Sequence, residues 1–140
     1  MIATLDTNVL VSALLSPFGT TARVLDLVLL GEIQSAFDDR LLEEYRRVLG
    51  RSKFPFTSEQ IANLLAVVER NGIYVTALPL DVRLPDSTDL PFLEVAATAG
   101  AVLVTGNLRH FPTGQRAGVR VQTPADVVAA LAQHRRSDIP

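Results

Sequence analysis

The sequence contains no cysteine, and its only histidines, His110 and His134, lie far apart in the chain. The absence of cysteine excludes disulfide bonds and metal sites with thiolate ligands. Two distant histidines also disfavour a zinc cluster built from imidazoles. Any metal site in this chain is therefore expected to use oxygen ligands.

Long hydrophobic runs and an excess of basic charge are also missing. No apolar run approaches the roughly 18 residues that a membrane span requires, and the N-terminus lacks the signature of a signal peptide. We therefore expect a cytoplasmic protein without a membrane partner. The net charge of -2 and the pI near 5.6 provide no global basic field of the kind that marks many nucleic-acid binders. A nuclease remains compatible with this charge, because a metal ion brings its own positive charge to an acidic site.

The length of 140 residues, 48% of them hydrophobic, fits one globular domain with a complete core. We predict a single domain over residues 1–134 and a flexible tail over residues 135–140. One domain of this size leads us to look for one functional site.

Strand and helix patterns alternate along the chain. Strands are predicted at 2–5, 33–37, 73–76, 101–105 and 119–122, and helices at 8–15, 20–30, 39–49, 58–71, 92–99 and 124–134. Asp38 is expected to cap the third helix and Thr20 or Thr21 the second, and the apolar strand 101–105 is expected to lie centrally in the sheet. This alternation predicts an α/β fold with a parallel sheet covered by helices on both faces.

Oxygen-bearing side chains follow two of the predicted strands and precede one helix. Asp6 comes directly after the first strand, Asn107 lies two residues past the fourth, and Asp86 and Asp89 precede the helix at 92–99. Ligands bind beyond the carboxyl ends of strands in such sheets, so we expect these groups to meet there. Glu44 joins them if its helix leans over that edge. The set suits Mg²⁺ or Mn²⁺.

Each of these residues also has a simpler explanation. Asp6 and Asp89 are suitable N-caps for the helices that follow them. Glu44 fits the solvated face of an amphipathic helix. The functional interpretation therefore depends on the joint arrangement of the residues, because none of them is specific alone.

Four segments of the sequence resemble, in this order and spacing, the motifs of PIN-domain nucleases. The segments are LDTNVL at 5–10, LEEYRRVLGRSKF at 42–54, DSTDLPFLEVA at 86–96 and LVTGNLRHFP at 103–112. The resemblance covers nearly the whole chain and is greatest to the group described as toxin components of toxin–antitoxin systems, which are related to VapC-type toxins.

This resemblance implies a three-layer α/β/α sandwich with a mostly parallel sheet of about five strands, and a metal-dependent endoribonuclease that cleaves RNA. The family's acids fall on Asp6, Glu44 and Asp89, which would hold Mg²⁺ or Mn²⁺. Its fourth acidic position falls on Asn107, and an amide there would weaken a second metal site, although Asp86 is a further oxygen ligand. An antitoxin partner and a homodimer are implied by the resemblance alone.

Basic residues flank the predicted acids and are candidates for contacts with an RNA backbone. Arg46, Arg47, Arg51 and Lys53 surround Glu44 in the sequence, and Arg109 and His110 follow Asn107. We predict substrate contacts at Arg51, Lys53, Arg109, Asn8 and Thr105, with Asn107 and Thr105 also positioning water or a carboxylate. The alternative is that the arginines pair with Glu43 or form a solvated helix face.

Other α/β proteins also gather acids at strand ends. A phosphoacceptor signalling domain needs an Asp after its third strand and a Lys after its last, but residues 73–78 and 119–123 contain neither. A haloacid-type phosphatase would need an Asp at position 8, where Asn8 stands. A non-catalytic or signalling module that retains the fold and binds nucleic acid or a protein partner remains the alternative function.

Overall fold

The computed structural model describes residues 1–137, in which five strands alternate with six helices. The strands are β1 (Ile2–Leu5), β2 (Gln34–Phe37), β3 (Ile73–Tyr74), β4 (Val102–Val104) and β5 (Val121–Gln122). The helices are α1 (Thr7–Leu15), α2 (Thr20–Leu29), α3 (Asp39–Leu49), α4 (Ser58–Arg70), α5 (Leu90–Ala99) and α6 (Pro124–Ser137). Every strand and helix predicted from the sequence is present.

The five strands form one sheet in the order β3-β2-β1-β4-β5, and every neighbouring pair is parallel. The prediction of a parallel five-stranded sheet is confirmed. β4 lies inside the sheet, as expected, while β1 holds the centre and pairs with both β2 and β4. The chain adds β2 and β3 on one side of β1 and then adds β4 and β5 on the other side. Ligand crevices of α/β folds form at such a change in strand order, which here lies between β1 and β4.

Both faces of this sheet are covered by helices. Ala3, Thr4 and Leu5 point alternately to opposite faces of β1, and all three are fully buried. Helix α5 packs across β1, β2 and β4, whereas α2 packs against α1 and α6. The predicted three-layer arrangement is confirmed.

Local capping chemistry explains where several helices begin. Asp38 accepts a hydrogen bond from the Leu41 backbone at 3.1 Å and starts α3, as predicted. Thr57 forms a reciprocal capping box with Gln60 at the start of α4. The prediction for α2 is wrong, because its N-cap is Gly19, and the Thr21 hydroxyl instead donates to Ser12 Oγ at 2.9 Å.

The structure differs from the sequence prediction mainly at element ends. β3 stops at Tyr74 because only Ala36 and Phe37 of β2 are available to pair with it, so the predicted extension to residue 76 is absent. Helix α6 continues three residues beyond the boundary predicted at His134, and the Arg135 side chain pairs with Glu32. Residues 138–140, the rest of the predicted tail, lie outside the described residues.

An ion pair between the buried Glu94 and the exposed Arg40 fixes α5 relative to α3. Glu94 on α5 accepts hydrogen bonds from Arg40 Nη1 and from the Leu80 backbone, both at 2.8 Å. Arg40 also pairs with Asp38 at 2.9 Å. These bonds hold the start of α3, the middle of α5 and the loop between β3 and α5 in one arrangement. No helix within residues 1–137 is long and apolar enough to cross a membrane.

Candidate functional site

Asp6 and Thr105 meet at the edge of the sheet where β1 and β4 end. The two strands are in parallel register, with Leu5 opposite Val104, and the Asp6 backbone donates to the Val104 carbonyl at 2.9 Å. The next residue after β4, Thr105, donates its hydroxyl to Asp6 Oδ2 at 2.7 Å. Both side chains are buried. The fold therefore places the first predicted acid at this edge with a fixed hydrogen-bond donor.

Asn8 connects Asp6 to the loop after β4. Its Nδ2 donates to Asp6 Oδ2 at 3.1 Å, and its Oδ1 accepts from the Gly106 backbone at 3.1 Å. Thr105 Oγ1 in turn accepts from the Asn107 backbone at 3.0 Å. Asn8 and Thr105 thus orient a carboxylate and a loop, while their predicted contacts with substrate stay predictions.

Asp89 is the second buried acid of the site. It ends a 3₁₀ turn over Ser87–Asp89 and sits at the N-cap position of α5. Asp6 occupies the same position before α1, yet neither side chain makes a capping hydrogen bond. By contrast, Asp86 accepts from the Thr88 backbone at 2.9 Å and caps the 3₁₀ turn. Capping therefore does not account for Asp6 and Asp89, although it accounts for Asp86.

The two buried carboxylates interact unfavourably when both are charged. Burial raises the pKa of Asp6, and the hydrogen bonds from Thr105 and the Thr7 backbone oppose that rise. Burial raises the pKa of Asp89 to about 6, and the negative charge of Asp6 adds to the effect. A positive charge between them would stabilise both ionised forms.

His110 lies against Asp89. Its Nδ1 is 2.9 Å from Asp89 Oδ2, close enough for an ion pair. The two groups are not aligned as a hydrogen bond, so Asp89 Oδ2 remains a buried oxygen without a hydrogen-bond partner. Sequence reasoning placed His110 only among basic residues near the site. Its position three residues after Asn107 was the available signal, but sequence alone did not indicate contact with an acid.

Glu44 reaches the same region from α3. The helix is attached to the end of β1 because the buried Tyr45 hydroxyl donates to the Leu5 carbonyl. The Glu44 carboxylate forms an ion pair with Arg47 one turn along the helix. Its negative charge also contributes to the raised pKa of Asp6, after burial and the other interactions. The predicted third acid is therefore close to Asp6 but already paired with a cation.

A cleft with a volume of about 510 Å³ opens over these groups. Its charged lining consists of Glu44, Asp86, Asp89, Arg47, Arg51 and His110. Of the other predicted residues, Asn8 lines the cleft, whereas Asp6, Thr105, Asn107, Lys53 and Arg109 do not. Lys53 Nζ lies 5.2 Å from the centre of the Phe54 ring, and Phe54 is part of the cleft wall. Lys53 is therefore a neighbour of the cleft.

The oxygen atoms available as metal ligands at this site meet part of what a bound cation requires. Asp6 and Asp89 are buried carboxylates with raised pKa values. However, no group of three or more His, Asp or Glu side chains within residues 1–137 is arranged to hold a metal ion. Glu44 would complete such a group only after leaving Arg47.

Comparisons with known proteins agree with this architecture. A family model described as PIN domain matches residues 3–109. The crystal structure of VapBC2 from Rickettsia felis bound to a DNA fragment from their promoter is similar in fold, with a TM-score of 0.60 and 20% sequence identity. That match covers 88% of this chain and 98% of the matched chain. No curated protein matches the sequence.

Proposed function

Because this chain belongs to the PIN domain family, whose toxin members are generally nucleases, we propose that it is a metal-dependent endoribonuclease that hydrolyses RNA phosphodiester bonds. The observation that carries the proposal is the pair of buried acids, Asp6 and Asp89, at the ends of elements that meet beside β1 and β4. Neither acid caps its helix through its side chain. Carboxylates buried together in this way are suited to holding a cation.

Asp6 and Asp89 would hold Mg²⁺ or Mn²⁺, and Glu44 would be the third ligand after release from Arg47. The bound ion would supply an activated water and neutralise negative charge on the reacting phosphodiester. Thr105 and Asn8 keep the Asp6 carboxylate in place through Oδ2. Asn107 supports the site through the bond from its backbone to Thr105 and has a neutral side chain where the family resemblance implies an acid.

Basic residues at the cleft would contact the RNA backbone. Arg51 lines the cleft together with Arg47, which becomes available if Glu44 binds the ion. Lys53 and Arg109 are exposed outside the cleft wall and would extend this contact surface. The substrate is therefore proposed to approach from the side where α3 and the loop after β4 flank the acids.

We further propose that the protein is the toxin of a toxin–antitoxin pair, acting in the cytoplasm as a homodimer with a cognate antitoxin. The fold likeness to the Rickettsia felis VapBC2 structure supports the antitoxin partner in this proposal. A small protein that is encoded next to this chain, copurifies with it and suppresses its nuclease activity would meet the expectation. An active nuclease whose expression leaves growth unchanged would contradict the toxin role.

A non-catalytic module that binds nucleic acid or protein is the second candidate. Two observations favour it: the amide at Asn107, and the ion pair that occupies Glu44. Binding of RNA without cleavage, unaffected by chelator, would identify this function.

The deciding experiment compares RNA cleavage by the purified protein and by Asp6→Asn and Asp89→Asn, each with Mg²⁺, Mn²⁺ or chelator. Asp26→Asn, on the exposed face of α2, is the matched control. We expect cleavage that requires metal, is unchanged in the control, and falls in both site variants by more than the about 10–100-fold that loss of an outer-shell contact costs. Folded site variants that cleave as well as the unsubstituted protein would refute the site.

A further inference from the structure

His110 lines the cleft beside the buried Asp89. Asn107, which holds the sequence position that the resemblance assigns to the fourth acid, does not line the cleft, whereas His110 does. The His110 side chain is 39% exposed, so one part of the ring faces solvent while Nδ1 contacts Asp89 Oδ2 at 2.9 Å. The turn after β4 therefore brings an imidazole, and not the Asn107 side chain, to the cleft beside Asp89.

The backbone fixes the position of this histidine. The His110 backbone donates to the Asn107 carbonyl at 3.2 Å, and the Asn107 backbone donates to Thr105 Oγ1. The next residue, Phe111, is fully buried, and its carbonyl accepts from Arg116 Nε at 2.8 Å. The same Thr105 hydroxyl that holds Asp6 therefore also anchors the turn that brings His110 to Asp89.

We propose that His110 is a positioning residue that orients the Asp89 carboxylate for cation binding. The inference rests on the proposed function. Asp6 is held through one oxygen by Thr105 and Asn8, and Asp89 is approached through one oxygen by His110. A contact with one carboxylate oxygen leaves the other oxygen to serve as a metal ligand. Contacts from residues that do not bind the metal themselves fix the orientation of metal-bound carboxylates.

The positioning role predicts that a substitution of His110 is tolerated only if the new side chain keeps a nitrogen atom near the location of Nδ1. Asn can place a polar NH₂ group near the location of His110 Nδ1, whereas Leu has the same branched shape without a polar atom. His110→Asn should therefore preserve the contact with Asp89, and His110→Leu should remove it. The partly exposed ring leaves the fold little dependent on this side chain. His134→Leu, on α6, is the control for loss of a histidine elsewhere.

The test is a titration of metal-free protein with Mn²⁺, followed by calorimetry or by the electron paramagnetic resonance of the free ion. We expect His110→Leu to weaken Mn²⁺ binding by about 10–100-fold. His110→Asn should retain most of the affinity, and His134→Leu all of it. Unchanged or tighter binding by His110→Leu, or an equal loss in His110→Asn, would overturn the positioning role.

The same titration separates this inference from the proposed function. Wild-type protein that does not bind Mn²⁺, or binds it equally well after Asp6→Asn, would overturn the proposed metal site and the role of His110 with it. Asp6-dependent binding with no effect at His110 would overturn the inference alone. Should His110→Leu not fold, ¹⁵N NMR of His110 supplies the readout. Asp89→Asn should shift its Nδ1 resonance, and an unshifted resonance would exclude the contact.

Discussion

Asp6 and Asp89 are two acidic side chains whose ionised forms are unfavourable in the folded protein. Both are buried, and each makes ionisation of the other more costly. Cavities that bring two carboxylates together are found where a cation or a proton completes the charge balance. In the absence of an ion, the proton is the simplest compensation, which links folding to pH.

The free energy of unfolding of the metal-free protein should depend on the ionisation of Asp89. The folded state holds the Asp89 proton with a pKa of about 6, compared with 3.8 for the ordinary group. The stabilisation of the folded state by this bound proton is therefore complete below about pH 3.8, and it is lost as the pH rises through about 6. Asp89→Asn should remove this slope and stabilise the metal-free protein at pH 7 by about 1–3 kcal/mol.

Denaturant unfolding between pH 4 and pH 8 in chelator measures the effect. Asp26→Asn, a control on an exposed position, should retain the slope of the unsubstituted protein. A pH profile for Asp89→Asn that superimposes on the unsubstituted profile would show that Asp89 ionises normally in the folded state.

At the scale of elements, the junction between α4 and β3 is packed so closely that it has no room for a side chain at Gly72. A Cβ atom on Gly72 would lie 2.4 Å from the Val68 carbonyl oxygen, 2.6 Å from the Phe37 ring and 2.7 Å from the Ser35 carbonyl oxygen. Two of these atoms belong to backbone that cannot move without disturbing α4 or β2. Glycine at this position therefore allows α4 to return directly to the edge of the sheet.

Gly72→Ala should destabilise the protein by about 1–3 kcal/mol or more, because the methyl group overpacks the contact between α4 and β2. Gly114→Ala is a suitable control, since its Cβ would meet no atom within 4 Å. Thermal unfolding of both variants measures the difference. Equal melting temperatures would show that α4 can shift away from β2 at little cost.

Elements with strong local patterns are predictable from the sequence. In α3 the apolar residues recur at helical spacing, and all five are buried: Leu41, Leu42, Tyr45, Val48 and Leu49. Strand ends are less predictable, because β3 ends where its partner β2 ends and not where its own pattern of residues does. The length of β3 is set by pairing between strands, which a local pattern does not contain.

Within the candidate site, some features also have a local sequence pattern, and others depend on tertiary contacts. Asp6 is recognisable because a carboxylate directly follows an apolar strand. The contact of His110 with Asp89 depends on how the turn after β4 faces the start of α5, and this tertiary relation has no local signature. The sequence alternative paired the arginines with Glu43, whereas Arg47 pairs with Glu44 in the structure.

For the molecule as a whole, the net charge of -2 opposes binding to a polyanion. RNA binding then depends on local cations, so replacing Arg51 and Lys53 by Glu should weaken it. The slope of log K against log salt should flatten by about 0.7 for each phosphate contact that is lost on single-stranded RNA. Fluorescence anisotropy with a labelled RNA at several salt concentrations measures this slope.

Arg23→Glu/Arg70→Glu makes the same change in net charge on α2 and α4 and is the matched control. Neither substituted position lines the cleft, so this variant should keep the phosphate contacts and flatten the slope less than the double substitution of Arg51 and Lys53. A slope that is the same in both double variants would exclude direct phosphate contacts by Arg51 and Lys53.

The bond from Thr105 to Asp6 joins residues 99 positions apart in the chain. The chain must be synthesised through Thr105 before the first acid acquires its hydroxyl partner, and β4 must then enter the sheet beside β1. A nascent chain emerging from the ribosome therefore carries Asp6 long before it carries an assembled cleft. The order of the strands delays the appearance of the site until β4 and Thr105 have been synthesised.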